Sequence, residues 1–135
     1  MSRRRETEPA VPTRLTLALP LLAATALTGL VLAPTASAEA DPPGCPKEYF
    51  CIYAGEGQTG QLLLKTQHSW TGSISGRSVF NNGIPYPNAD HIQLTWTYQG
   101  NTYEQCVHYN PGPGEYKLDF YEGVTFTKAS WRGEC

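Results

Sequence analysis

The chain has 135 residues, with ten Lys/Arg against twelve Asp/Glu for a net charge of −2, and carries four cysteines. That length holds one modest domain once a leader is subtracted. The slight acidity excludes binding nucleic acid through a basic, phosphate-tracking surface.

Residues 1–38 read as a signal peptide. "MSRRRETEPAVPTR" is a positively charged opening with Arg3, Arg4, Arg5 and Arg14, followed by the apolar run "LTLALPLLAATALTGLVLA". Ala36-Ser37-Ala38 has the small-x-small form of a cleavage site, so cleavage is expected before Glu39. A membrane anchor is the competing reading, because the run approaches spanning length. Pro20 inside it, the cleavage triplet and the lack of a basic stop-transfer flank oppose that reading. Cys45 does not follow the run directly, as a lipid-anchored cysteine would, and "ETEP" after the arginine triplet is unlike a twin-arginine signal. The expected product is secreted, extracellular, free of the membrane and monomeric, with six Lys/Arg against ten Asp/Glu left in residues 39–135.

Cys45, Cys51, Cys106 and Cys135 all lie in that exported part. An even number in a small exported domain reads as two disulfides, staples that a domain of this size needs. Four cysteines allow three pairings and spacing does not choose among them. Cys45–Cys51, clasping the first strand, and Cys106–Cys135, tying the C-terminal end to a central strand, are favoured, with pairings between the chain's two ends left open. An oxidised sulfur is no nucleophile, so Cys106 and His108 are not read as a catalytic pair.

Residues 39–44, "EADPPG", form a short lead-in with little reason for order, ahead of one domain over 45–135. Strands are expected from Tyr49 onward. "GQLLLKT" is short and almost continuously apolar. "DHIQLTWTY" alternates Ile92, Leu94, Trp96 and Tyr98 with polar residues, a period of two. "EYKLDFY" repeats the pattern, and "GVTFTKASW" begins it with Val124 and Phe126, then changes phase near Lys128, which predicts a bulge. Turn clusters separate these runs: "AGEGQTG", "NNGIPYPN", "YQGN" and "NPGPG". No window carries a helical stripe, so the patterning predicts an all-β sandwich. "YAGEGQTGQLLL" and "YQGNTYEQCVHY" both open Tyr-x-Gly, 45 residues apart, as two similar halves would. Fifteen aromatic residues fit a dense core with tyrosine corners better than a carbohydrate-binding face.

"CPKEYFCIYAGEGQTG", "GRSVFNNG" and "CVHY", taken together, resemble the secreted peptidase inhibitors of the Streptomyces metalloproteinase inhibitor type, the family 36 peptidase inhibitors. The resemblance covers Cys45 to Cys135. It implies a two-Greek-key βγ-crystallin-like sandwich stabilised by two disulfides. Crystallin-like keys carry an aromatic, a second aromatic five residues on, and a glycine two further. Tyr53 and Gly60 fit with Gln58 between them, while Tyr98 and Tyr103 fit with Gln105 in the glycine's place. The resemblance further implies inhibition of thermolysin-type zinc endopeptidases, with Cys106-Val107 as the bond offered and His108, Tyr109 and Pro111 flanking it. Such enzymes favour a bulky apolar residue after the cut bond, and Val107 supplies one. The family's second cysteine downstream of that bond is missing, and "HYNPGPG" stands there.

Other constellations carry less. His68, His91 and His108 show no ligand spacing and read as surface or turn histidines, so neither metal nor cofactor is expected. Glu115, Asp119 and Glu122 read as a solvated strand edge and not as a glycosidase pair. Asn81 and Asn82 lack the neighbouring oxygens that calcium needs, and Asn82-Gly83 reads as a tight turn with positive φ. The competing readings are a non-catalytic crystallin-like envelope or extracellular module that binds glycan or calcium or serves structurally, and an exported hydrolase.

Overall fold

The computed structural model describes residues 37–135, so the expected leader lies almost wholly outside the described residues. Period-two patterning becomes six antiparallel strands: β1 (Tyr49–Tyr53), β2 (Leu62–Thr66), β3 (Trp70–Asn82), β4 (His91–Tyr98), β5 (Asn101–Val107) and β6 (Lys117–Arg132). They form one ladder in the order β2-β1-β3-β6-β4-β5. That order is symmetric: a hairpin and a long strand, β1-β2-β3, are matched by β4-β5-β6 about the β3/β6 seam. The two Tyr-x-Gly segments sit at equivalent places, each turning one hairpin.

The expected sandwich is thus a continuous ladder in place of two separate sheets. The reason lies in β3 and β6, which are 13 and 16 residues long. Their pairing jumps from Gly76↔Val124 to Ser78↔Asp119, leaving residues 120–123 of β6 as a large bulge with Gly123 at φ 76°. Bulges bend a strand and deepen its twist. The buried cluster then joins Phe50 and Ile52 of β1 to Ile92 and Leu94 of β4, Val107 of β5 and Phe126 of β6, so the two ends of the strand order close on one core. A second bulge falls where the phase change predicted it, between Thr95↔Lys128 and Trp96↔Phe126.

β3 escaped the sequence reading because glycine, serine and threonine dilute its alternation. Gly76 is there for space: a Cβ would stand 2.8 Å from the Tyr53 carbonyl and 3.1 Å from Ile52 Cγ2. The β4–β5 turn has Gln99 and Gly100 at φ 48° and 78°, the two-residue turn whose twist matches a hairpin. In the other half, Gln58 replaces an aromatic and is buried, its amide donating to the Val79 carbonyl. The aromatics divide between core and surface. Phe50, Tyr53, Phe80 and Phe126 are fully buried, while Trp96, Tyr103, Phe120 and Tyr121 line an open hollow of about 420 Å³.

Tyr53 is wholly buried, and its hydroxyl donates to the Pro43 carbonyl at 2.8 Å. Burial pushes its pKa up to about 12 from the usual 10.0. A raised phenol pKa means the folded state holds the proton longer. The stabilisation is complete below pH 10 and is lost as pH rises toward 12. Two units correspond to about 2–3 kcal/mol. Urea midpoints measured from pH 9 to 12 should fall steeply in the wild type and less steeply in Tyr53→Phe. Equal slopes would count against this role for Tyr53.

Candidate functional site

Both disulfides are the favoured ones, Cys45–Cys51 and Cys106–Cys135, and no described cysteine is free. The strand that carries Cys106 is not central as expected. β5 lies at the sheet edge, with β4 on one side and no strand on the other among the described residues. Cys106 pairs across from Gln93, and the chain end beyond β6 reaches over to it, with Cα atoms 5.8 Å apart. The Cys106 sulfur is therefore a staple, which removes the thiolate that a Cys106–His108 pair would need.

Val107 is fully buried. Strand alternation puts Val107, Gln105 and Tyr103 on one face, opposite Ile92, Leu94 and Trp96, and at its Val107 end that face enters the core, while Tyr103 at the other end is exposed. The side chain expected to enter a protease pocket is inside the domain, and its carbonyl accepts from Asn81 Nδ2 at 3.2 Å. The reachable part of this segment is the open edge of β5 and the loop that follows.

That loop, residues 108–116, is stitched by its own backbone. His108 N donates to the Glu115 carbonyl (2.8 Å), Gly112 N to Tyr109 (2.5 Å) and Asn110 N to Asn81 (3.0 Å). Asn81 N returns a bond to the Tyr116 carbonyl at 2.8 Å. The ring of His108 lies directly on Gly114, where any Cβ would collide with it. Pro111 follows a cis peptide bond from Asn110 and is half-buried, as are His108 and Tyr109. These bonds and rings hold the loop in one shape.

The lead-in has more order than its composition suggested. Asn110 is buried, and its side chain clasps Glu39: Oδ1 accepts from Glu39 N and Nδ2 donates to Glu39 O, both at 2.9 Å. The Glu39 carboxylate accepts from Lys117 Nζ (2.6 Å) and the Tyr116 hydroxyl (2.8 Å), and these two bonds hold its pKa below the ordinary value. Lys47 adds bonds to Asn82 Oδ1 and the Asn110 carbonyl. Composition predicted disorder here because these partners lie some 70 residues away in the chain.

One constellation escaped the sequence reading. Asp90 Oδ1 meets His91 Nδ1 at 2.5 Å, and His91 Nε2 meets His108 Nδ1 at 2.8 Å. The imidazoles stand next to the Ile92↔Val107 pair of the β4/β5 ladder, so strand register brings together two histidines 17 residues apart. His68 lies elsewhere and is exposed. Burial alone would raise the Asp90 carboxyl, but hydrogen bonds from His91 and the Tyr86 amide outweigh it and hold the pKa below the usual value.

The remaining candidates are engaged in structure. Glu115 accepts from Gln105 and Asp119 from Gly57 N. Asn81 and Asn82 are fully buried, with their amides donating to Asp90 and Val107 and to Asp41 and Cys45. Gly83 lacks the expected positive φ and is needed for space, since a Cβ would stand 3.0 Å from Asn81 Oδ1.

No curated protein and no solved structure matches the chain. The sequence model of peptidase inhibitor family I36 matches residues 38–110, a stretch that takes in β1 to β5, Cys106-Val107 and the first three residues of the loop. With an all-β domain under two disulfides and more than half its length matched, the chain belongs to peptidase inhibitor family I36.

Proposed function

We propose that this chain is a secreted inhibitor of thermolysin-like zinc endopeptidases and that edge strand β5 with loop 108–116 is the docking element. The observation that carries the reading is an open sheet edge running into a loop already held in one shape. An extended substrate-binding cleft can add such an edge as a further strand, with main-chain hydrogen bonds for affinity. A segment that is already ordered loses little entropy on docking.

The buried Val107 side chain gives the inhibition its direction. To cut Cys106-Val107 the enzyme must first peel the end of β5 from the sheet. Peeling exposes a valine worth about 1.5–3 kcal/mol of burial and breaks the Asn81 bond. The Cys106–Cys135 bridge then keeps the displaced end attached. Docking is favoured, cleavage is slow, and a cut chain stays in place.

The test is a titration of the oxidised exported chain against a thermolysin-like enzyme and, in parallel, a serine protease, with an oligopeptide substrate and intact mass followed over time. Stoichiometric loss of metalloprotease activity is expected. Tyr109→Ala, on the half-buried loop, should weaken it about tenfold or more, as loss of a central interface aromatic does. Full enzyme activity at tenfold molar excess, or rapid hydrolysis of the chain, would overturn the reading.

A further inference from the structure

We propose that Asp90, His91, His108 and Glu134 form a binding site for a divalent transition-metal ion of the zinc class, at the base of the loop. Two imidazole nitrogens on neighbouring segments point at one another, His91 Nε2 and His108 Nδ1, 2.8 Å apart. The Asp90 carboxylate on His91 Nδ1 places that ring's proton away from the site and leaves Nε2 as a lone pair. A carboxylate behind a histidine is the usual outer support of a metal-bound imidazole, fixing its tautomer and raising its basicity. His91 is almost wholly buried, so this nitrogen faces its partners and not bulk water.

Without a metal ion, His108 Nδ1 supplies the proton shared between the rings. An ion takes that proton's place, and the proton moves to His108 Nε2, so two neutral imidazoles bind with no net release. Two nitrogens at about 2.0–2.1 Å from a tetrahedral ion stand about 3.3 Å apart. From their present 2.8 Å the nitrogens part by about half an ångström, and each ring tilts by about 35° so that its lone pair turns from its partner to the ion. The third donor is Glu134, whose Oε2 is 3.7 Å from His91 Nε2 and whose side chain is 85% exposed, free to swing in. The Cys135 sulfur lies within 4.8 Å of both histidine nitrogens but is held in its disulfide, which leaves the fourth position to water.

Two nitrogens and one carboxylate suit zinc, copper or nickel and not calcium, which takes six or more oxygens. The ion would tie three segments together: the start of β4, the loop after β5 and the chain end beyond β6. This goes beyond the inhibitory reading and needs no protease to test.

The experiment is calorimetric titration of the oxidised exported chain with Zn²⁺ in chelator-treated buffer, alongside thermal melts with Zn²⁺ or Ca²⁺. One ion per chain with micromolar or tighter affinity is expected. At a hundredfold excess over Kd, Zn²⁺ should raise Tm by about 10 °C or more, and Ca²⁺ should not. His108→Ala, at a half-buried position, and Glu134→Gln, at an exposed one, keep the fold testable and should each weaken binding at least tenfold. Asp90→Asn should weaken it 10–100-fold. The proposal is overturned by no saturable Zn²⁺ binding, by unchanged affinity in His108→Ala, or by binding that appears only after the Cys106–Cys135 bridge is reduced.

Discussion

Replacing both Cys106 and Cys135 by serine is expected to cost about 3–4 kcal/mol of stability and to abolish inhibition. The bridge spans 29 residues, and closing a loop of that length removes about that much freedom from the unfolded chain. For a domain of this size the loss corresponds to a Tm lower by about 15–25 °C. The Cys45–Cys51 bridge spans only 6 residues, so the same treatment gives about 2 kcal/mol for its removal. Urea titrations of the two double-serine variants should rank them in that order. The functional effect is more local. Once the bridge is gone, the end of β5 is a sheet edge held on one side only, by β4. Amide exchange should then accelerate through residues 104–108 while β1 and β3 stay protected. If the proposed inhibitory reading holds, thermolysin-like enzymes should cut the peptide bond between positions 106 and 107 faster in the variant than in the wild type. Unchanged exchange in β5 would mean that the loop's own hydrogen bonds suffice and that the bridge is not the clamp.

Strand alternation showed β4 and both halves of β6 plainly, because one face of each is apolar. It hid β3, where Gly76 answers to close backbone approach and the exposed serines add no apolar period. It also split β6 at Gly123, whose positive φ reads as a turn but serves a bulge inside one continuous strand. The half-repeat was present in two Tyr-x-Gly segments, and its meaning, the symmetric strand order, appears only when the ladder is known. At the site, the compartment and the even cysteine count implied two disulfides, while the choice among three pairings was only a preference until the structure showed Cys45–Cys51 and Cys106–Cys135. Val107's burial was also within reach, since Tyr103, Gln105 and Val107 alternate onto one face. The His91–His108 contact was not legible. Ligand spacing rules describe residues on one element, whereas these two meet through β4/β5 register, which a single sequence does not state.

Asn81→Ala should destabilise the domain by about 3–5 kcal/mol, the largest effect expected of any single polar substitution here. Asn81 is fully buried at the end of β3 and joins four segments. Its Nδ2 donates to the carbonyls of Asp90 (3.0 Å) and Val107 (3.2 Å), and its Oδ1 accepts from Gly83 N at 3.0 Å. Its own backbone exchanges bonds with Tyr116 and Asn110 of the loop. Truncation strands one buried N–H and two buried carbonyls, each costing about 1–3 kcal/mol, with the sum reduced by relaxation and entering water. Asn81→Asp tests the same hub by charge. One oxygen still accepts from Gly83, but the other faces two carbonyls and the carboxylate is buried without a cation among these partners. Its folded pKa must therefore rise above the unfolded carboxylate value. Stability of this variant is then greatest below the unfolded pKa and falls as pH rises through the folded one. At pH 7 the aspartate variant should be less stable than the alanine variant. At pH 4 the neutral acid can donate to one of the two carbonyls, and the order should approach equality or reverse. Urea midpoints at the two pH values decide the matter. An alanine variant within about 1 kcal/mol of wild type would show that the loop and the end of β5 are held without this side chain, because a stranded buried hydrogen-bonding group costs at least that much.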